Sequence, residues 1–166
     1  MINYINKGVW LQQEIANQGH SLFKLDNLWI MSDEVAVQEI IDTFDPLPYA
    51  QAEAETKVKA ASATKRLEFV TQAAGKDAEY TFKAAEAKQY DIDTTVGIFM
   101  QARATATGET PAAIAAEWNA KSLGWQAIGA SIAALEDKAN QDIKAEANWQ
   151  NCNVIAEAAI TAIEAI

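Results

Sequence analysis

The chain has 166 residues, a formal net charge of −10 and a pI of about 4.5. Half of it is hydrophobic, but much of that half is alanine, which favours helix while adding little core volume, so helices are expected instead of one thick core. The acidic balance argues against nucleic acid and anionic membrane surfaces, and the single Cys152 and His20 exclude a disulfide framework and a cysteine or multi-histidine metal site.

In chain order, the N-terminus "MINYINKGVW" lacks the charged and apolar regions of a signal peptide, and no apolar run reaches the ~20 residues of a membrane span. The expectation is synthesis and retention in the cytoplasm. "INYI" reads as a short strand. "VWLQQEIANQG" reads as a helix stopped by Gly19, with Val9, Leu11 and Ile15 apolar. "LFKL" and "LWIM" flank Asp26-Asn27, a pair that tolerates positive φ, which predicts a β-hairpin near residues 22–31. Ser32 or Asp33 caps the next helix, whose buried stripe is Val37, Ile40, Ile41 and Phe44. Residues 1–45 therefore form a small α+β domain of helix, hairpin and helix.

Asp45, Pro46 and Pro48 define a stiff, extended joint over 46–49, because each proline fixes its own φ and restrains the residue before it. Residues 50–166 read as an elongated α-helical bundle, so the fold class is mainly α. Thr56, Ala60, Ala63, Leu67, Val70 and Ala74 make one narrow face ending at Gly75, and Ala78, Phe82 and Ala85 continue on another helix. Ile92, Val96, Phe99 and Met100 make the next helix, which ends at Gly108. Thr110 then caps and Pro111 starts a long helix over 111–148, with Ile114, Trp118, Trp125, Ile128, Ile132, Leu135, Ala139 and Ile143 on one face. Gly124 and Gly129 either interrupt it or let it pack closely. A final amphipathic segment runs from Cys152 to Ile166.

No catalytic constellation emerges. His20 reads as a turn residue and Cys152 as core, since neither has a local partner that would activate it. The carboxylate pairs Asp42/Asp45, Asp91/Asp93 and Glu136/Asp137 sit at helix ends or on polar faces, where acids are common in this chain. They are the sole basis for an alternative reading as a polysaccharide or cell-wall hydrolase. No nucleotide or cofactor motif is present, so no cofactor is expected. The aromatic domain offers Trp10, Phe23 and Trp29 as partner-binding candidates. The helical faces add Trp118, Trp125, Ile155 and Ile163.

"GHSLFKLDNLWIMSDEVAVQEIIDTFDPLP" resembles the N-terminal module of small proteins that tailed bacteriophages encode beside their tail-fibre genes. "YTFKAAEAKQYD" with "GETPAAIAAEWNAKSLGWQAIGASIAALEDKANQDI" is similar to the helical module that follows in many phage tail proteins. The string "VQEIIDTFDPLP" is the more specific of these. The resemblance implies a non-enzymatic structural or adaptor protein of the virion tail that binds a tail-fibre or baseplate protein. It also admits an assembly chaperone absent from the mature virion. Both a monomeric bundle and a trimer matching a three-fold fibre are compatible with it.

Overall fold

The computed structural model of the chain describes residues 2–26, 28–69 and 76–166. In chain order its elements are α1 (Val9–Asn17), β1 (Leu22–Leu25), β2 (Leu28–Met31), α2 (Glu34–Thr43), α3 (Leu47–Phe69), α4 (Lys76–Asp93), α5 (Ile98–Thr107), α6 (Pro111–Ala145) and α7 (Trp149–Glu164). The fold is mainly α, with one small antiparallel hairpin between α1 and α2.

The N-terminal core gathers Leu11 and Ile15 of α1 with Val37, Ile40 and Ile41 of α2, closed by Ile2 and Phe44. Asp33 caps α2, its carboxylate accepting from the amides of Val35 and Ala36. Asp26 has φ 46, as the first residue of a two-residue hairpin loop needs. The "INYI" stretch is not a strand. Its backbone is held at Asn3 by a side chain instead: Asn3 N–H donates to Gln38 Oε1 at 2.8 Å, and Gln38 Nε2 donates to the Asn3 carbonyl at 3.4 Å. Val9, expected on the apolar side, faces solvent. Gly8 ahead of it has φ +80, and a Cβ there would meet the Trp10 ring at 2.6 Å, so glycine lets that indole fold back over the chain.

The joint differs from the expected 46–49. The non-helical residues are Phe44, Asp45 and Pro46, while Leu47 and Pro48 already belong to α3. Pro48 fits the first helical turn because the amide it lacks would have no intrahelical partner there. Asp45 Oδ1 accepts from Leu47 N–H at 2.9 Å, and the Pro46 carbonyl accepts from Ala50 N–H at 3.0 Å.

The bundle has two cores. In the first, α3, α7 and the C-terminal half of α6 bury Ala50, Ala54 and Val58 against Ile132, Ile143, Cys152 and Ile163. Lys57 reaches Asn153 and Lys65 reaches the Glu164 carbonyl, so α3 and α7 run parallel. Gln51 donates to the carbonyls of Ile143 and Glu146 while Arg66 pairs with Glu136, so α6 runs against α3. In the second core, Ala87 of α4 and Met100 of α5 pack on Ile114, Ala115 and Trp118 of α6.

Two expected faces are corrected. The buried stripe of α3 is Ala50, Ala54, Val58 and Ser62, whereas Thr56, Ala60, Ala63 and Leu67 are exposed. Val70, Ala74 and Gly75 lie outside the described residues. On α4 the buried residue is Ala87, and Ala78, Phe82 and Ala85 face outward. With alanine at so many positions, several small-residue stripes share helical spacing, and hydropathy does not rank them. α4 also runs on to Asp93 and takes in Ile92, while Val96 falls in the link before α5.

Helix α6 is continuous for 35 residues, which at ~1.5 Å per residue makes a rod of about 52 Å. It ends at Ala145 and not at 148, because Asn148 is recruited as the cap of α7, accepting from Gln150 N–H at 3.0 Å. That cap also starts α7 at Trp149, ahead of the expected Cys152. Gly124 and Gly129 do not interrupt the helix, and among the described residues a Cβ at either would have nothing within 4 Å.

Helix α5 has glycine at its N-cap and no cap of its own. Glu86 of α4 supplies one, its two carboxylate oxygens accepting from the amides of Phe99 and Met100 at 3.1 and 2.8 Å. Gly97 makes room for it, because a Cβ there would sit 2.1 Å from the Glu86 carboxyl carbon. Glu86→Ala is expected to lower stability by about 1–2 kcal/mol, while Glu53→Ala, which removes an exposed pair with Lys57, stays within ~0.5 kcal/mol. Urea unfolding followed by circular dichroism measures both.

Candidate functional site

The hairpin register pairs Phe23 with Ile30 and Leu25 with Leu28 on one face, and Leu22 with Met31 and Lys24 with Trp29 on the other. The second face covers the N-terminal core, where Trp29 stacks on Tyr4 with ring centroids 4.3 Å apart. The first face points to solvent, with Phe23 51%, Leu25 55%, Leu28 69% and Ile30 39% exposed. A hairpin with one solvated face ordinarily carries polar residues on it. This one carries none.

The other partner-binding candidates fall differently. Trp10 lies between the N-terminal core and the bundle, edge-on to Trp149 at 5.9 Å. Trp29 and Ile155 are half-buried, packed against the cores, while Trp118 and Ile163 are buried in them. Each of these contributes to packing within the fold. Of the seven candidates, only Phe23 and Trp125 are substantially exposed. Leu25, Leu28 and Ile30 complete the row; their signal in the sequence is that "LFKL" and "LWIM" put apolar residues on both faces of the hairpin, Lys24 alone excepted.

Trp125 marks a second concavity, a groove of about 420 Å³ between α4 and α6. Tyr80 and Trp125 form its exposed aromatic wall, with Trp118 beneath and Lys83, Arg103 and Lys121 around it. Lys83 Nζ and the Arg103 guanidinium lie 5.6 and 6.0 Å from the Trp118 ring, in the range of cation–π attraction. Behind the groove, Arg103 is gripped by Glu109, whose two oxygens accept at 2.8 and 3.0 Å, and by Glu117, which also binds Lys121. Hydrogen bonds from Arg103 first and Lys121 second hold Glu117 down at about 2, and Arg103 and Thr107 lower Glu109. The same acids raise the Arg103 pKa. No sequence pattern announces this cluster, since its members come from three helices.

Five of the six paired carboxylates are engaged elsewhere. Asp42 accepts from Gln38, Asp45 caps α3, Asp91 accepts from Asn119, Asp93 from the Thr95 amide, and Glu136 pairs with Arg66. His20 Nδ1 lies 3.3 Å from Ser32 Oγ at the base of the hairpin. Cys152 is buried, and burial pushes its thiol up. Among the described residues, no cluster of three or more His, Cys, Asp or Glu could hold a metal ion, and no helix is long and apolar enough to cross a membrane.

Comparison of the chain with protein-family models, with curated proteins and with solved structures finds no match in any of the three.

The Arg103 cluster makes a pH prediction. The pKa of Glu117 falls from an ordinary 4.5 to about 2 on folding, so its contribution to stability is complete above about pH 4.5 and is lost as the pH falls toward 2. Glu109, lowered by the same guanidinium, adds in the same direction. The melting temperature of Glu117→Gln is therefore expected to lie below the parent's at pH 7, with the difference closing near pH 2. Thermal melts across that range check it.

Proposed function

We propose that this chain is a non-enzymatic bacteriophage tail protein that docks onto a tail-fibre or baseplate component through the outer face of its N-terminal hairpin. The observation that carries the reading is the row of Phe23, Leu25, Leu28 and Ile30, four apolar side chains on one exposed face. Leaving such a face in water is unfavourable by about 25 cal/mol per Å², and contiguous patches of this kind mark interaction sites. The phage setting rests on the resemblance carried by "VQEIIDTFDPLP".

Total surface supports a partner-binding reading. The chain exposes 10472 Å², where a compact monomer of 18.0 kDa exposes about 8,000 Å². Outward apolar side chains contribute to that surface, among them the stacked Phe82 and Phe99. A hairpin held by its inner face on a packed domain presents the docking row without the ordering cost of a flexible segment.

The test is co-expression with the protein encoded beside it in a tail-fibre gene cluster. The parent chain is expected to co-purify with that protein. Phe23→Asp with Leu28→Asp is expected to abolish co-purification while leaving the helical circular dichroism unchanged, because both side chains point away from the core. Co-purification that survives the double substitution removes the hairpin from the interface. Mass spectrometry of purified virions then separates a resident tail component from an assembly chaperone that leaves.

A further inference from the structure

The groove between α4 and α6 is a site of a different kind from the hairpin face. In a chain of 13 basic and 23 acidic residues, three of the groove's lining residues are Lys83, Arg103 and Lys121, and none among the described residues is acidic. The acids that balance these cations stand outside the lining and take only part of their hydrogen-bonding capacity. Glu109 and Glu117 occupy three Arg103 contacts, and Lys83 and Lys121 each give one to a glutamate four residues earlier. An ammonium has three donors and a guanidinium five. The Tyr80 hydroxyl and the Trp125 indole N–H have no hydrogen-bond partner among the described residues.

Lysine, arginine and the indole N–H donate and cannot accept, so the groove asks for a ligand rich in acceptors and negatively charged. Tyr80 and Trp125 are 48% and 45% exposed, and their rings offer flat apolar surface beside those donors. A volume of about 420 Å³ suits a single small molecule.

We infer that this groove binds a small organic carboxylate carried on a ring with an apolar face, the ring lying against Trp125 and Tyr80 and the carboxylate taking donors from Lys83 and Lys121. The inference does not depend on the hairpin's docking role. Aromatic acids and sugar acids share this chemistry.

The experiment titrates the full chain with 2-naphthoate, its uncharged counterpart 2-naphthamide, and glucuronate, following the indole N–H resonances by NMR. At least one of the two acids is expected to shift the Trp125 signal saturably. For 2-naphthoate the Kd is expected to be about ten-fold below that of the amide. Lys121→Met, at an exposed position, should weaken the acid and leave the fold intact, and Lys83→Met should do the same. Lys138→Met, an exposed lysine near the other end of α6, should change nothing. Binding of glucuronate with the same lysine dependence assigns the groove to sugar acids, and binding of 2-naphthoate alone assigns it to aromatic acids. Absence of a saturable shift with both acids, equal affinity for 2-naphthoate and its amide, or binding indifferent to both lysine substitutions overturns the inference.

Discussion

Helix α6 belongs to two cores at once, and the arrangement of the bundle follows from that. Its C-terminal half contributes Ile132, Ala139 and Ile143 to the packing with α3 and α7, and its N-terminal half contributes Ile114, Ala115 and Trp118 to the packing with α4 and α5. Neither cluster is thick, because so many of the contacting residues are alanine. What alanine withholds in volume it returns in helix propensity, and a helix that persists for 35 residues brings the two thin cores into one object.

Thin cores leave the mutual setting of the helices to polar contacts at their ends. Gln51 of α3 closes the carbonyls at the end of α6, Lys65 closes α7 at Glu164, Lys7 closes α2 at Phe44, and Glu86 opens α5. A helix terminus leaves several backbone groups without intrahelical partners, so a side chain from a neighbouring element fixes both the end and the register between the two. The N-terminal domain is tied on by the same economy. Phe44 sits in its core, Pro46 is buried between, and Leu47 packs on the bundle three residues later. Trp10 against Trp149 is the second tie. The link between the two parts is thus fixed by what Phe44 and Leu47 touch as well as by the φ angles that the prolines set.

The parts of this fold that are legible in the sequence are those with a local cause. The Asp33, Thr110 and Pro111 signals, the turn at Asp26 and the stripe of Val37, Ile40 and Ile41 each act within a few residues. The faces of α3 and α4 were misjudged because alanine at several helical spacings gives no contrast. The strand expected at "INYI" does not form, and Gln38, distant in sequence, answers for the Asn3 backbone instead. For the same reason the hairpin's outer row could be read once the strands were placed, whereas the groove could not. Lys83, Arg103 and Lys121 lie on three helices, and only the packing around Trp118 brings them together.

Between Trp118 and Ile132 no residue of α6 is fully buried, and Gly124 lies within that span with no described atom within 4 Å of where a side chain would start. Glycine in an exposed helix interior weakens it by about 1 kcal/mol relative to alanine. Phe69, edge-on to Trp125 at 5.9 Å, is a contact that α3 makes there. Among the described residues, this stretch joins the two cores through half-buried side chains such as Ile128 and not through a fully buried one. The orientation of one core relative to the other therefore depends on α6 staying helical across it.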